Sequence, residues 1–540
     1  MMSVDKSVAT VIAEYLKAAE VPFIFAYPGD PIIDFMEASK NLGLDVVLAR
    51  REGTAAFMAE GYAMATGKLG VVLSTLGPGS SNMVNGVACA NWDRVPVLAI
   101  SGQIDTAREQ YFTHQVIDHK LLYSPITKWA GRVESGAVGT IMRKAISTAV
   151  SERPGAVHLT IAEDTFKATA KDAAVRMPPM GSSVSGIKVS RAPGSSADPN
   201  KILVNAKRPI ILAGISAQRG NATAELIALA EKTGIPVVTS PMSKGVFPEE
   251  HPLFAGVIDM ACQQVMWDFL GSADLILSVG FDAVELIKPW TVSAPVLHID
   301  STPNSDQIYY SECEVVGDIP LMLNWLSSEW KGGQKWSEGD VASHRKALRD
   351  AYYSGRVQGK LNPTDVVDVV RAAMPRNTLA TSDVGSHKML IGQGWTTHDP
   401  RGLLMTNGLS SMGFGIPTAI AAAMADPSRP VVALVGDGGF AMTATEMRLA
   451  AARNLPLVVV VFADGSLNRI ELKQMARGFE STATRIEDSD LVAMAGAMHC
   501  DGMRASSIPE LEKALSSVGT LTRPLVIEAQ IDPAQYQAQF

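Results

Sequence analysis

The stretch Val431-Val-Ala-Leu-Val-Gly436-Asp437-Gly438-Gly439-Phe440, followed by Leu457-Val-Val-Val-Val-Phe462-Ala463-Asp464-Gly465-Ser466, decides the fold. Each apolar run is short, β-branched and closed by a Gly-Asp or Asp-Gly pair, the pattern of a fully buried parallel strand ending in a tight loop. Between the runs, Thr443-Ala-Thr-Glu446 reads as a capping box that opens a helix reaching about Asn454. The unit is therefore strand, glycine-rich turn, helix, strand, with Asp437 and Asp464 at the carboxyl ends of two strands. Open α/β sheets bind ligands there. Glycines let a backbone approach a phosphate, a helix start aims N–H groups at it, and a hard cation such as Mg²⁺ takes carboxylate and phosphate oxygens together. The two aspartates are thus candidate ligands of a metal-bound diphosphate, with ordinary solvated loop aspartates as the alternative.

Working outward, the 540 residues suffice for about three domains. Up to residue 175, β-branched runs alternate with alanine-rich helical stretches. Met177-Pro-Pro-Met-Gly-Ser-Ser through Pro193-Gly-Ser-Ser-Ala is then polar and punctuated, which reads as a linker. A second α/β segment, 190–328, has strands expected near Pro209–Gly214, Pro236–Thr239, Leu275–Val279 and Val296–Ile299. A charged stretch, Glu329 to Asp340, leads through an amphipathic helix to a third segment, 358–540.

Apolar content of 47% and charged content of 19% fit a globular protein, and no apolar run approaches the roughly 20 residues that span a bilayer. The amino terminus lacks the basic segment and apolar stretch of a secretory signal, so cytoplasm is the expected location. Cys89, Cys262, Cys313 and Cys500 have no paired spacing, which reads as reduced thiols rather than disulfides or a zinc site. A net charge of −8 without basic patches argues against nucleic-acid and membrane partners.

From Asp437 to Asp464 is 27 positions (464 − 437). With that spacing the segment resembles the thiamine-diphosphate motif, Gly-Asp-Gly followed after about two dozen residues by Asn-Asn. The resemblance implies Mg²⁺ held by Asp437, Asp464 and the carbonyl of Ser466. Ala463-Asp464 replaces the Asn pair, as in some catabolic acetolactate synthases, and aspartate is a competent Mg²⁺ ligand.

The amino-terminal segment extends the likeness to the acetolactate-synthase and 2-oxo-acid decarboxylase group. Asp45-Val-Val-Leu-Ala-Arg50 reads as a strand, Arg51-Glu52-Gly53 as its end, and Thr54-Ala-Ala-Phe-Met-Ala-Glu-Gly-Tyr-Ala as the following helix. In that group a glutamate at this turn bonds the aminopyrimidine N1′ and favours the tautomer that removes the thiazolium C2 proton. Glu52 takes that role by resemblance; a solvated glutamate in a basic turn is the other reading. Ser74-Thr-Leu-Gly77-Pro78-Gly79-Ser-Ser-Asn82 is similar to the glycine-rich turn beside the pyrimidine. Gly408-Leu-Ser410-Ser-Met412 is similar to the segment whose bulky apolar residue, here Met412, wedges under the cofactor; a plain core methionine is its alternative. Gly385, Ser386 and His387 fall where the family contacts the diphosphate, although His387 reads equally well as a structural histidine. The remaining cofactor positions implied are Pro28, Gly436, Gly438, Gly439 and Leu467.

The resemblance covers nearly the whole chain. It implies three open parallel-sheet α/β domains of the thiamine-diphosphate enzyme type, in the order pyrimidine-binding, middle and pyrophosphate-binding. One subunit would supply the Glu52 side and its neighbour the metal side, hence a homodimer or homotetramer with active sites at the subunit interface. The expected substrate is a small 2-oxo acid, pyruvate first, decarboxylated and then ligated to a second carbonyl as in acetolactate synthases.

Simple decarboxylation is the alternative. Asp30, in Tyr27-Pro28-Gly29-Asp30, stands where pyruvate decarboxylases carry an acid that relays a proton, or else caps the helix Ile32–Ser39. Thr113-His114-Gln115 resembles the glutamine loop of carboligases, so His114 and Gln115 are expected at the substrate. Lys473 stands where anabolic acetolactate synthases carry tryptophan and reads as a carboxylate partner or a solvated helix lysine. Val279-Gly280-Phe281-Asp282-Ala283-Val284-Glu285 lacks both arginines of the FAD-binding relatives, which argues against FAD; a catalytically silent scaffold would lack Glu52 or the metal carboxylates, and both are present.

Overall fold

A computed structural model describes residues 5–180, 186–487 and 489–539. It contains three α/β sheets. The first runs, edge to edge, Asp45–Leu48, Phe23–Ala26, Gly70–Ser74, Val97–Gln103, Ala156–Ala162 and Trp129–Arg132, all parallel. The third runs Leu403–Met405, Leu379–Ser382, Val431–Gly436, Leu457–Ala463, Leu525–Gln530 and Asp501–Ala505, again all parallel. The second has six parallel strands centred on Pro209–Ala213 and Leu275–Val279, with one antiparallel strand, Ile187–Arg191, on the Cys313–Gly317 edge. Strands that read as continuous apolar runs are the ones buried on both faces. The parallel-sheet α/β class expected from the sequence is the one observed.

The backbone packs into two units. One comprises the described part of Met1–Ser182 with Leu409–Pro427 and Thr443–Leu455; the other comprises the described part of Ser183–Gly408, Ser428–Met442 and Pro456–Phe540. In the first unit, helix Glu52–Thr66 is buried on every side from Thr54 to Ala63, as its alanine-rich composition allows. It packs on Gly415–Ala425 so closely that a methyl at Gly61 would lie 2.6 Å from the backbone of Thr418.

Several local expectations are corrected. There is no capping box at Thr443: the helix begins earlier, at Asp437, and runs to Thr443, followed by a 3₁₀ turn Ala444–Glu446 without a side-chain cap. Glu446 is instead drawn into the first unit, where its Oε1 accepts the Arg50 N–H at 2.8 Å and the Thr54 hydroxyl at 2.5 Å. The supposed linker contains the strand Ile187–Arg191, and the charged stretch after Glu329 is anchored by Trp330 and Trp336, both buried. Trp336 donates to the Pro209 carbonyl at 2.7 Å. The four cysteines are buried and none is in a disulfide. Glu60, Cys89 and Asp93 do place ligand atoms within 4.8 Å of one another, which their spacing does not suggest. Burial and the neighbouring Asp93 hold the Glu60 carboxyl well above its ordinary pKa.

Candidate functional site

In the first sheet the strand order reverses between Phe23–Ala26 and Gly70–Ser74, so the loops after these strands, 27–29 and 75–76, with the helical turns they open, flank the crevice where open sheets bind ligands. Glu52 is the first residue of its helix, 8% exposed, beside an exposed Arg51; it is not a solvated turn residue. The Asn82 amide donates to its Oε2 at 2.8 Å. Asn82, expected at the cofactor, therefore also orients Glu52.

Gly77 and the exposed Pro78 open helix Gly77–Trp92. A β-carbon at Gly77 would fall 2.2 Å from the Gln115 carbonyl oxygen, so only glycine admits the Gln115 loop this near the helix start. Gln115 itself has φ of 60°, a left-handed conformation that costs a non-glycine residue energy.

Pro28 is exposed at the strand end, and Asp30 opens a 3₁₀ turn, Asp30–Ile32, whose N-cap position belongs to Gly29. The expected Asp30 cap is thus absent: Pro31 sets the turn, and the helix starts only at Ile33. Asp30, His114 and Gln115 come together instead in one cleft of about 740 Å³, together with Leu76, Arg108 and Phe112. Ser410 adopts φ of 54°, and Ser411 beside it donates to Asn85 at 2.8 Å; Met412 is half-buried rather than part of the core.

The third sheet reverses between Leu379–Ser382 and Val431–Gly436. Gly385, Ser386 and His387 follow the first strand, and Gly436, Asp437, Gly438 and Gly439 close the second. Asp437 Oδ2 accepts the N–H groups of Asp464 at 3.1 Å and Gly465 at 2.7 Å, while Oδ1 accepts that of Gly438 at 2.8 Å. The two aspartate loops are thereby locked together. Burial raises the Asp437 carboxyl, and burial together with the Asp437 charge pushes Asp464 up to about 7. Arg485 is drawn off to Glu471 at 2.6 Å. Two half-buried carboxylates in repulsion are a hard-oxygen donor set suited to a divalent cation. Ser466 donates its hydroxyl to Glu471 Oε2 at 2.5 Å and its N–H to Asp464 Oδ1 at 3.1 Å, and the Leu467 N–H reaches the Thr484 carbonyl at 2.7 Å.

His387 is buried and stacked on Phe462, with ring centroids 5.4 Å apart. Burial, then the adjacent Lys388, lowers its pKa to about 3, so the ring is neutral. Its Nε2 has no hydrogen-bond partner among the described residues, the kind of orphaned polar atom a ligand would satisfy. A β-carbon at Gly385 or Gly436 would collide with this ring at 2.6 and 3.0 Å, so both glycines first make room for the imidazole. Ser386 donates to Asn468 at 2.8 Å. Lys473 is exposed, on helix Asn468–Ala476.

The second sheet reverses between Pro209–Ala213 and Leu275–Val279. There Glu285, fully buried, accepts the Ile215 N–H at 2.9 Å and the Asp282 N–H at 2.8 Å, and the Ser240 hydroxyl bonds the same carboxyl. A side-chain carboxyl thus takes the donors that face a pyrophosphate in dinucleotide folds. Burial lifts its pKa from 4.5 to about 8. The folded protein holds this proton where the unfolded chain has released it, so this contribution to stability is complete below pH 4.5 and lost as pH rises through about 8. Thermal melts between about pH 5 and 9 are expected to show that decline in the wild type and a flatter profile in Glu285→Gln.

Sequence reasoning gave Glu446 a different role, as half of a capping box, and missed Glu471, Arg485, Glu285 and Arg108; Glu446, Glu285 and Arg108 meet partners far away in the chain, whereas Glu471 and Arg485 pair across a local turn. It also missed Lys388, buried beside His387, whose ammonium donates to the Thr406 carbonyl at 2.7 Å. Adjacency in Gly385-Ser-His-Lys388 was the one available signal.

Three family models match along the chain: "Thiamine pyrophosphate enzyme, N-terminal TPP binding domain" over residues 6–122, its central domain over 198–326, and its C-terminal TPP binding domain over 383–529. The sheets and their crevices are therefore those of a thiamine-pyrophosphate enzyme. The acetolactate synthase isozyme 3 large subunit of Escherichia coli is 30% identical over 538 residues, covering 94% of this chain and 91% of its own. The probable acetolactate synthase large subunit of Methanococcus aeolicus is 29% identical over 559 residues (97% and 92%), and the acetolactate synthase of Bacillus subtilis 27% over 537 (97% and 93%). The chain belongs to the acetolactate-synthase-like thiamine-pyrophosphate enzymes.

Proposed function

We propose that this enzyme decarboxylates a small 2-oxo acid, pyruvate first, and ligates the two-carbon fragment to a second carbonyl, using thiamine diphosphate and Mg²⁺. The observation that carries this reading is Glu52, buried at a helix start at the reversal side of the first sheet and oriented by Asn82. Thiamine diphosphate, when bound, supplies a thiazolium carbon that adds to the oxo group and accepts the electron pair left by CO₂. Glu52 exchanges a proton with the pyrimidine ring nitrogen and so activates that carbon. Gly77, Pro78, Asn82, Pro28, Ser410 and Met412 shape the pyrimidine side. Asp437, Asp464 and the Ser466 carbonyl would hold Mg²⁺. Gly385, Ser386, His387, Gly436, Gly438, Gly439 and Leu467 surround the diphosphate. His114 and Gln115 face the substrate.

Each complete site takes its Glu52 side from one copy and its metal side from another, in a homodimer or homotetramer. The three segments 1–175, 190–328 and 358–540 act as the pyrimidine, middle and pyrophosphate domains. The filled crevice at Glu285 supports a flavin-free enzyme. Four buried cysteines, none in a disulfide, support a reducing compartment, the cytoplasm. Among the described residues no helix is long and apolar enough to cross a membrane. A second reading, simple decarboxylation, draws on Asp30 and His114 lining one cleft, where they would protonate the product-forming carbon.

An NMR time course with thiamine diphosphate, Mg²⁺ and pyruvate, without flavin, separates the two. Acetolactate is the expected product. Acetaldehyde alone would establish the second reading, and untouched pyruvate with continuing C2-proton exchange would move the donor to another 2-oxo acid.

A further inference from the structure

We infer that Arg108 binds a second acidic group, a carboxylate or its sulfonate or phosphonate equivalent, on one of the two carbonyl substrates; the inference rests on the function proposed above. Arg108 lines the same cleft of about 740 Å³ as Asp30, His114 and Gln115. Clefts of about 300–1,000 Å³ accommodate ligands much larger than a three-carbon acid.

Arg108 is the least committed cation in this cleft. Lys167 takes Glu163 at 2.6 Å and also faces Asp34 at 4.0 Å. The Arg108 guanidinium stands 3.7 Å from the other oxygen of Glu163 and makes no side-chain hydrogen bond among the described residues. Apart from that long ion pair its N–H donors are open to a planar or tetrahedral oxyanion, which a guanidinium fork matches in geometry.

The turn that carries Arg108 is held in place. Asp164 accepts the Thr106 hydroxyl at 2.5 Å and the Thr106 N–H at 3.1 Å. Glu109 pairs with Arg132 at 2.6 Å, and the Arg108 carbonyl accepts the Phe112 N–H at 2.9 Å. Little ordering remains to be done on binding, which favours recognition.

The carboxylate that leaves as CO₂ is the wrong partner for this cation. Its charge disappears in the transition state, so an arginine bound to it would stabilise the substrate more than the transition state and slow the reaction. A carboxylate retained through the reaction incurs no such cost. Arg108 is accordingly a specificity residue for a substrate with two acidic groups, or for an acid-bearing carbonyl acceptor.

Paired substrates test this in the holoenzyme. As donors, 2-oxoglutarate is compared with 2-oxopentanoate by CO₂ release. As acceptors beside pyruvate, succinic semialdehyde is compared with butanal by ligated product. The acid-bearing member is expected to win in one arm, which identifies the position of the second acid. Arg108→Met should cut that preference roughly 10- to 100-fold, mainly through KM, the range of a lost charge-assisted hydrogen bond. Arg108→Lys should restore part of it. C2-proton exchange without substrate is read in each protein to show that the cofactor is held and activated. Exchange with no preference in either arm, or with the same preference in Arg108→Met, overturns the assignment alone. Absent exchange in the wild type overturns the proposed function and this inference with it.

Discussion

Glu52→Gln is expected to abolish C2-proton exchange, a loss of about 10²- to 10⁴-fold in line with general acid–base catalysis, while thiamine diphosphate still binds. Glutamine keeps the length of the side chain and an oxygen to accept the Asn82 amide, which now lies 2.8 Å from the Glu52 carboxylate. It cannot exchange a proton with the pyrimidine nitrogen. Losing a carboxylate from the first helical turn should lower stability by only about 0.3–1 kcal/mol, so the protein remains folded. Deuterium exchange at C2, followed by NMR in the presence of cofactor and Mg²⁺, separates the chemistry from binding. Exchange at the wild-type rate in Glu52→Gln would remove this residue from the mechanism.

Asp464→Ala should have two effects of opposite sign. It removes a half-buried carboxyl that desolvation, and then the charge of Asp437, push up to about 7, so the cofactor-free protein is expected to melt higher at neutral pH. Mg²⁺-dependent retention of thiamine diphosphate should weaken about 100-fold or more, because even groups that merely orient a metal ligand cost 10- to 100-fold when removed. Asp464→Asn installs the amide that the family motif carries and should keep the cofactor. Calorimetric titration of Mg²⁺ with thiamine diphosphate, beside thermal melts of the cofactor-free proteins, reads both effects. Full cofactor retention in Asp464→Ala would exclude Asp464 as a metal ligand.

The parts of the fold that were legible in the sequence are those in which local chemistry and tertiary placement agree. Val431–Gly436 and Leu457–Ala463 are uniformly apolar because both faces are covered, and their Gly-Asp ends are where the chain must turn. Glu52 was placed at a strand end for the same reason, and its burial agrees with a functional rather than a solvated role. Where long-range partners intervene, the local signal fails. Thr443 and Glu446 have the spacing of a cap, yet Glu446 finds Arg50 and Thr54 nearly four hundred positions away. The helix at Asp437 has no local signal because Gly-Asp-Gly-Gly has poor helical propensity, which the surrounding packing overrides. Ile187–Arg191 offers only two apolar residues, Ile187 and Val189, between polar and Gly/Pro-punctuated flanks, and it lies at a largely exposed sheet edge.

That edge strand sets a practical limit on dissecting the chain. A fragment begun at residue 198, where the central-domain match starts, would discard Ile187–Arg191 and leave Cys313–Gly317 with a naked row of amides and carbonyls. Unpaired edges of that kind recruit neighbouring chains. Excised middle domains should therefore keep the polypeptide from before Ile187, or they will be lost to self-association before any ligand can be tried on them.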